Sequence, residues 1–153
     1  MEKTIHGEAD MKAFGSQLGA LLRGGEVIEL VGDVGAGKTT LTKGIADGMR
    51  IGEDIQSPSF TISRVYDALS SVRLAHYDFY RLHDAGIMAD ELHETMNDPE
   101  TVTIIEWAEI IAGVLPDDRL TITIAGMAGD EHARKLQVQA GGARSRAIVE
   151  KLV

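Results

Sequence analysis

At 153 residues, with 44% hydrophobic and 25% charged positions, the chain has the size of one ordinary globular domain, residues 1–153, with no room for a second. Fifteen basic against 24 acidic residues give a net charge of −9, the wrong sign for gripping nucleic acid through its phosphates, so any role near RNA needs a basic partner. Cysteine is absent, which excludes disulfides and thiolate metal sites, and neither a signal-peptide core nor a membrane-length apolar run is present, so a cytoplasmic protein without membrane association is expected.

Met11, Phe14, Leu18, Leu21 and Leu22 recur at helical spacing before Gly24-Gly25, predicting an amphipathic helix over 8–23. Val27-Ile28-Glu29-Leu30-Val31 is a short β-branched run that breaks into a glycine-rich loop, and 38–49 follow as a helix. After Ser57-Pro58, strands are predicted at 60–66 and 72–78, joined by the Asp67 to Ser71 turn as a hairpin. An acidic helix is predicted over 85–96, then a strand from Thr101 to Ile105 that ends in Glu106. Residues 119–125 and 133–139 alternate well enough to pair across a Gly126 to His132 connection, and a helix from about 143 closes the chain. Strands interleaved with helices argue an α/β fold with a mixed, partly antiparallel central sheet.

Gly32-Asp33-Val34-Gly35-Ala36-Gly37-Lys38-Thr39 satisfies G-x-x-x-x-G-K-[ST] in full, between a buried strand and a helix. The chain's own composition predicts about 0.01 chance occurrences of this pattern. Glycines let the backbone turn so that successive N–H groups point at phosphate oxygens, and the helix start adds the positive end of its dipole. Lys38 would reach the β- and γ-phosphates and the Thr39 hydroxyl would ligate magnesium, so a nucleoside triphosphate, ATP by preference, is the expected ligand. The fold implied is a three-layer, P-loop NTPase-like one.

Phosphoryl transfer also needs side chains that support the metal and orient the nucleophile. Glu106 ends an apolar strand, as a metal-supporting acid does, and Asp78 ends another in His76-Tyr77-Asp78-Phe79-Tyr80-Arg81-Leu82. The bland alternatives are a helix cap or surface charge for Asp78 and an ordinary strand-end carboxylate for Glu106. A lone His76 reads as structural and Trp107, the single tryptophan, as a packing residue.

The phosphate loop through Thr40, then Ser57-Pro58-Ser59-Phe60-Thr61, then His76-x-Asp78-x-Tyr80-Arg81-Leu82, then Ile105-Glu106-Trp107 resemble, in order and spacing, the TsaE (formerly YjeE) family. The resemblance runs from about residue 5 to 140. It implies a bacterial ATPase required for N6-threonylcarbamoyladenosine modification of tRNA at position 37, working with TsaB and TsaD, which would make the tRNA contacts. It further implies that Thr39 and Glu106 serve magnesium, that Asp33, Val34, Gly35, Ala36, Gly37, Lys38, Thr39 and Thr40 hold the phosphates, and that catalysis falls to Lys38 on the phosphates and to Asp78, which would position water. Glu8 and Arg134 would line the nucleotide, Ser57 to Thr61 would act as a switch-like loop, and Trp107 would stand beside the metal carboxylate. The chain departs from the family pattern at Ser59, at Ala108 and at Glu131, an acid where the family tends to have an arginine.

ATP binding or hydrolysis would then reset the TsaB–TsaD synthase between turnovers, and turnover by the chain alone would be slow without a cation from outside. Two rivals compete with this reading. A small-molecule kinase would need an arginine-rich lid, whereas Arg81, Arg134, Arg144 and Arg146 read as scattered. A nucleotide-gated binding module would hydrolyse little, its bound state being what the partner reads.

Overall fold

A computed structural model describes residues 1–58, 61–82 and 86–152. The strands are β1 (Glu2–His6), β2 (Val27–Val31), β3 (Ser63–Asp67), β4 (Arg73–Asp78), β5 (Thr101–Glu106), β6 (Leu120–Met127) and β7 (Asp130–Ala140). The helices are α1 (Glu8–Leu21), α2 (Lys38–Gly48), α3 (Gly86–Asn97) and α4 (Ala143–Leu152), with a 3-10 segment at Ala108–Val114. All seven strands join one sheet in the order β1-β7-β6-β2-β5-β4-β3. β6, β2, β5 and β4 run parallel, while the pairs β1–β7, β6–β7 and β3–β4 are antiparallel. The expected mixed α/β sheet flanked by helices is borne out.

Alternation along the central strands divides the core in two. Ile28 and Leu30, Leu74, and Val102 and Ile104 point with Met11, Phe14, Leu18, Leu41 and Ile45 into the core under α1 and α2. Val27, Ala75, Tyr77 and Ile105 point the other way, against Leu92, Met96 and Ile111 from α3 and the 3-10 segment. On the first face, each stripe turns polar at the carboxyl end of its strand. Leu74 leads to His76 and Asp78, Ile104 to Glu106, and Leu30 to Gly32. Ligands of open α/β sheets bind at that end of the strands.

The differences from the sequence reading lie mainly at the antiparallel edges. β1 escapes a periodicity reading because Ile5 is its one fully buried side chain; the strand is held by its ladder to β7. The expected seven-residue connection after Gly126 is a tight turn at Ala128-Gly129, with Gly129 at φ 85° and a register shift between Gly126 and Met127. β7 begins at Asp130, where its backbone pairs with Met127 of β6, although Asp130, Glu131 and His132 are all exposed and show no alternation. The first helix ends at Leu21, before Gly24 and Gly25, both at positive φ. The predicted starts at 60 and 85, and Ser59 and Phe60 of the switch-like segment, lie outside the described residues.

Candidate functional site

Leaving β2, the chain turns through Gly35 (φ 82°) and Gly37 (φ 114°), left-handed values that favour glycine, and enters α2 at Lys38. Among the described residues no side chain caps the start of α2, so its first N–H groups lack the side-chain acceptors that usually satisfy them. Ala36 N–H donates to the Asp33 carbonyl at 3.0 Å and Leu41 N–H to the Gly37 carbonyl at 2.9 Å, which fixes the loop as one curved unit. The concave backbone and helix start fit a phosphate group.

The Lys38 side chain is buried, and its ammonium donates to the Gly32 carbonyl at 2.5 Å. It also lies 3.9 Å from Glu106 Oε1 and 4.2 Å from the centre of the Trp107 ring. A buried ammonium is tolerated only where carboxylate, carbonyl and π-face surround it in this way. Trp107 reaches this place through a left-handed backbone, φ 56° and ψ 52°, which costs a non-glycine residue about 1–2 kcal/mol. Its ring also packs against Tyr80, the centroids 4.8 Å apart and the planes tilted by 48°.

Asp78 and Glu106 are register partners on neighbouring parallel strands, and both are buried. Asp78 Oδ1 accepts the Tyr80 N–H at 2.9 Å, so the carboxylate also shapes the turn after β4; its own N–H donates to the Ile62 carbonyl at 2.8 Å. Ile62, at φ 69°, a rare conformation for a β-branched residue, follows the Ser57 to Thr61 segment, and its N–H donates to the Pro58 carbonyl at 2.7 Å. Glu106 Oε2 contacts His76 Nε2 at 2.5 Å.

These residues surround a cavity of about 400 Å³ lined by Val34, Gly35, Gly37, Lys38, Thr39, Thr40, Ser57, Asp78, Tyr80, Arg81, Glu106 and Trp107. A second cavity of about 220 Å³ shares Gly35, Gly37 and Thr40 with it, and continues along Ala36 to Glu8, Met11, His132 and Arg134. Together they form a groove across the phosphate loop. Arg134 spans it by donating through Nε to the Ala36 carbonyl at 3.2 Å.

Of the residues singled out from sequence, Val34, Gly35, Gly37, Lys38, Thr39, Thr40, Asp78 and Glu106 meet at the first cavity, and Glu8, Ala36 and Arg134 at the second. Asp33 lies apart, exposed on the outer side of the loop beside Gly126 and Asp130. Sequence reasoning missed Arg81, read as scattered, and Tyr80, which the turn after Asp78 brings to the first cavity. A turn three residues past a strand-end carboxylate was the available signal. It also missed the contact of His76 with Glu106, which spans 30 residues and leaves no trace in local spacing.

Among the described residues no cluster of three His, Asp or Glu could hold a metal alone. Magnesium suits such a site, since it commonly takes one or two protein oxygens and completes its shell with phosphate and water. Thr39 and Glu106 on the same cavity match that donor set.

The family model for threonylcarbamoyl adenosine biosynthesis protein TsaE matches residues 5–136. The tRNA threonylcarbamoyladenosine biosynthesis protein TsaE of Bacillus subtilis is 36% identical over 152 residues, 98% of this chain and 91% of that protein. Its Streptomyces coelicolor counterpart is 36% identical over 121 residues, covering 78% and 82%. The crystal structure of Bacillus subtilis YdiB superposes with a TM-score of 0.81 at 34% identity, covering 99% of this chain and 93% of that one.

Proposed function

The chain belongs to the TsaE family of tRNA threonylcarbamoyladenosine biosynthesis, and from that membership we propose that it binds and hydrolyses ATP with magnesium to drive this modification. The observation that carries the reading is the convergence on one cavity of an uncapped helix start, a buried lysine and two strand-end carboxylates. Backbone N–H groups of 33–39 and Lys38 hold the phosphates. Thr39 and Glu106 hold magnesium, which supplies charge neutralisation when bound. Asp78 and Arg81 face the same space, the former to orient water and the latter to add positive charge. The cavity beside Glu8 and Arg134 takes the remainder of the nucleotide.

Both cavities are open to the surface, which supports a site completed by a partner. TsaB and TsaD are the partners proposed, in the cytoplasm, and the net charge of −9 supports leaving tRNA contacts to them. The test is ATP hydrolysis by the purified chain, alone and with a TsaB–TsaD pair, against Lys38→Ala. Slow hydrolysis that rises with the pair and drops at least 100-fold in the variant is expected. Activity indifferent to the pair would favour a kinase or another partner.

One observation favours a second reading, a binding module with little turnover. Asp78 Oδ1 is engaged with the Tyr80 amide and so serves the turn as well as the cavity. Asp78→Ala separates the two. Loss of hydrolysis and modification with ATP binding retained requires turnover, whereas retained modification leaves the module.

A further inference from the structure

His76 is fully buried, on the same face of β4 as Asp78, and does not line the phosphate cavity. In register it stands opposite Ile104, one alternation before Glu106 on the neighbouring strand, so its ring reaches diagonally to the Glu106 carboxylate. Nε2 lies 2.5 Å from Oε2, in direct hydrogen-bond contact with one oxygen of the carboxylate. The other ring nitrogen, Nδ1, is buried and has no hydrogen-bond partner among the described residues. Leaving a buried polar atom unpaired is costly, and among the described residues no second hydrogen bond explains the presence of an imidazole here. Among the described residues its side chain makes one polar contact, to one oxygen of Glu106. The other oxygen, Oε1, is 3.9 Å from Lys38 Nζ, at the cavity.

We propose that His76 is a positioning residue that holds Glu106 by Oε2, so that Oε1 is presented to the metal–phosphate site beside Lys38. A free glutamate samples several rotamers, and fixing one in advance removes that cost from metal binding. Partners of this outer kind commonly contribute about 10–100-fold to metal affinity or activity. The inference rests on the proposed magnesium–ATP reading.

The test measures the affinity of a fluorescent N-methylanthraniloyl ATP in excess magnesium and in EDTA, for wild type, His76→Asn and His76→Gln. The glutamine amide reaches about as far as Nε2, whereas the asparagine amide stops near Nδ1. His76→Asn should lose about 10-fold of the gain that magnesium confers, with the EDTA affinity unchanged, and His76→Gln should keep most of the gain. A full magnesium gain in His76→Asn overturns the proposal. So does an equal loss with and without magnesium, which would mark a merely structural residue. Wild-type protein that binds no nucleotide, or binds it without help from magnesium, would instead overturn the functional reading on which this one stands. A second measurement needs no substitution: nitrogen-15 spectra of the wild-type histidines should show His76 protonated at Nε2 and shifted when magnesium joins the nucleotide. Protonation at Nδ1 alone would overturn the proposal.

Discussion

Under α1 and α2 the helices meet backbone to backbone, whereas under α3 and the 3-10 segment they meet the sheet through bulky side chains. A Cβ on Gly15 would lie 2.7 Å from the Leu41 carbonyl oxygen and one on Gly44 2.5 Å from that of Lys12; Gly19 and Gly48 would overlap the carbonyls of Ile45 and Ser16. Four glycines, spaced by four on each helix, thus let the axes approach too closely for any larger residue. On the opposite face Tyr77, Phe79, Leu92 and Ile105 fill the space. The close crossing ties α1, which brings Glu8 and Met11 to the groove, to α2, which begins with Lys38 and Thr39. Both faces bury a core, but only the first also fixes the separation of its helices. Every strand-end polar group of the candidate site is on the first.

The comparison breaks most sharply at Gly19. Gly19→Ala must force the helices apart, and we expect about 3 kcal/mol of destabilisation, roughly 6–12 °C in Tm, together with a tenfold or larger loss of nucleotide affinity. Leu92→Ala, a cavity on the other face, should cost a similar 2–4 kcal/mol by urea denaturation but leave nucleotide affinity within about twofold. Equal losses of affinity in the two variants would mean that the faces are not distinct in function.

Trp107 offers a smaller signal that sharpens the same comparison. It is the only tryptophan, its ring lies under Lys38 and against Tyr80, and on the proposed reading Lys38 turns toward the bound phosphate. Adding magnesium–ATP should change its emission in wild type and in Leu92→Ala, and much less in Lys38→Ala. An unchanged spectrum in a protein that demonstrably binds ATP would detach Trp107 from the phosphate site.

The legible part of this molecule is the part whose causes are local. Val27 to Thr40 announces a strand, a glycine turn and a helix start within 14 consecutive residues, because the turn needs glycine and the phosphate-loop pattern sets Lys38 and Thr39 directly after it. Asp78 and Glu106 were recognisable as strand ends because an apolar run stops at each. Their sharing of one wall depends on β4 lying beside β5, a pairing between segments 28 residues apart that no local pattern encodes. The edge strand β1 and the first residues of β7 were invisible because backbone ladders hold them, and their polar side chains face water. The His76–Glu106 contact combines both difficulties, since it joins distant segments and uses a residue type that is commonplace in cores.

The smallest expected effect lies at the far end of the first face, where α4 is anchored by a residue outside it. Asp118 accepts N–H bonds from Arg144 at 3.0 Å and Ser145 at 3.1 Å, and the Ser145 hydroxyl at 2.6 Å, and so caps the helix from the segment before β6. The Ser145 hydroxyl bond, ahead of the backbone ones, holds this carboxyl below the ordinary carboxylate range. A depressed folded-state value means that its contribution is fully present above the unfolded value of about 3.9 and is lost as pH falls through the folded value. Asp118→Asn, which keeps one acceptor oxygen, should therefore cost about 1 kcal/mol at pH 7 by urea denaturation, and the gap from wild type should narrow below pH 4. A gap that stays constant from pH 7 to pH 3 would show that the residue acts through shape alone. Because α4 lies far from the phosphate loop, nucleotide affinity at pH 7 should not move, which separates anchoring the face from building its site.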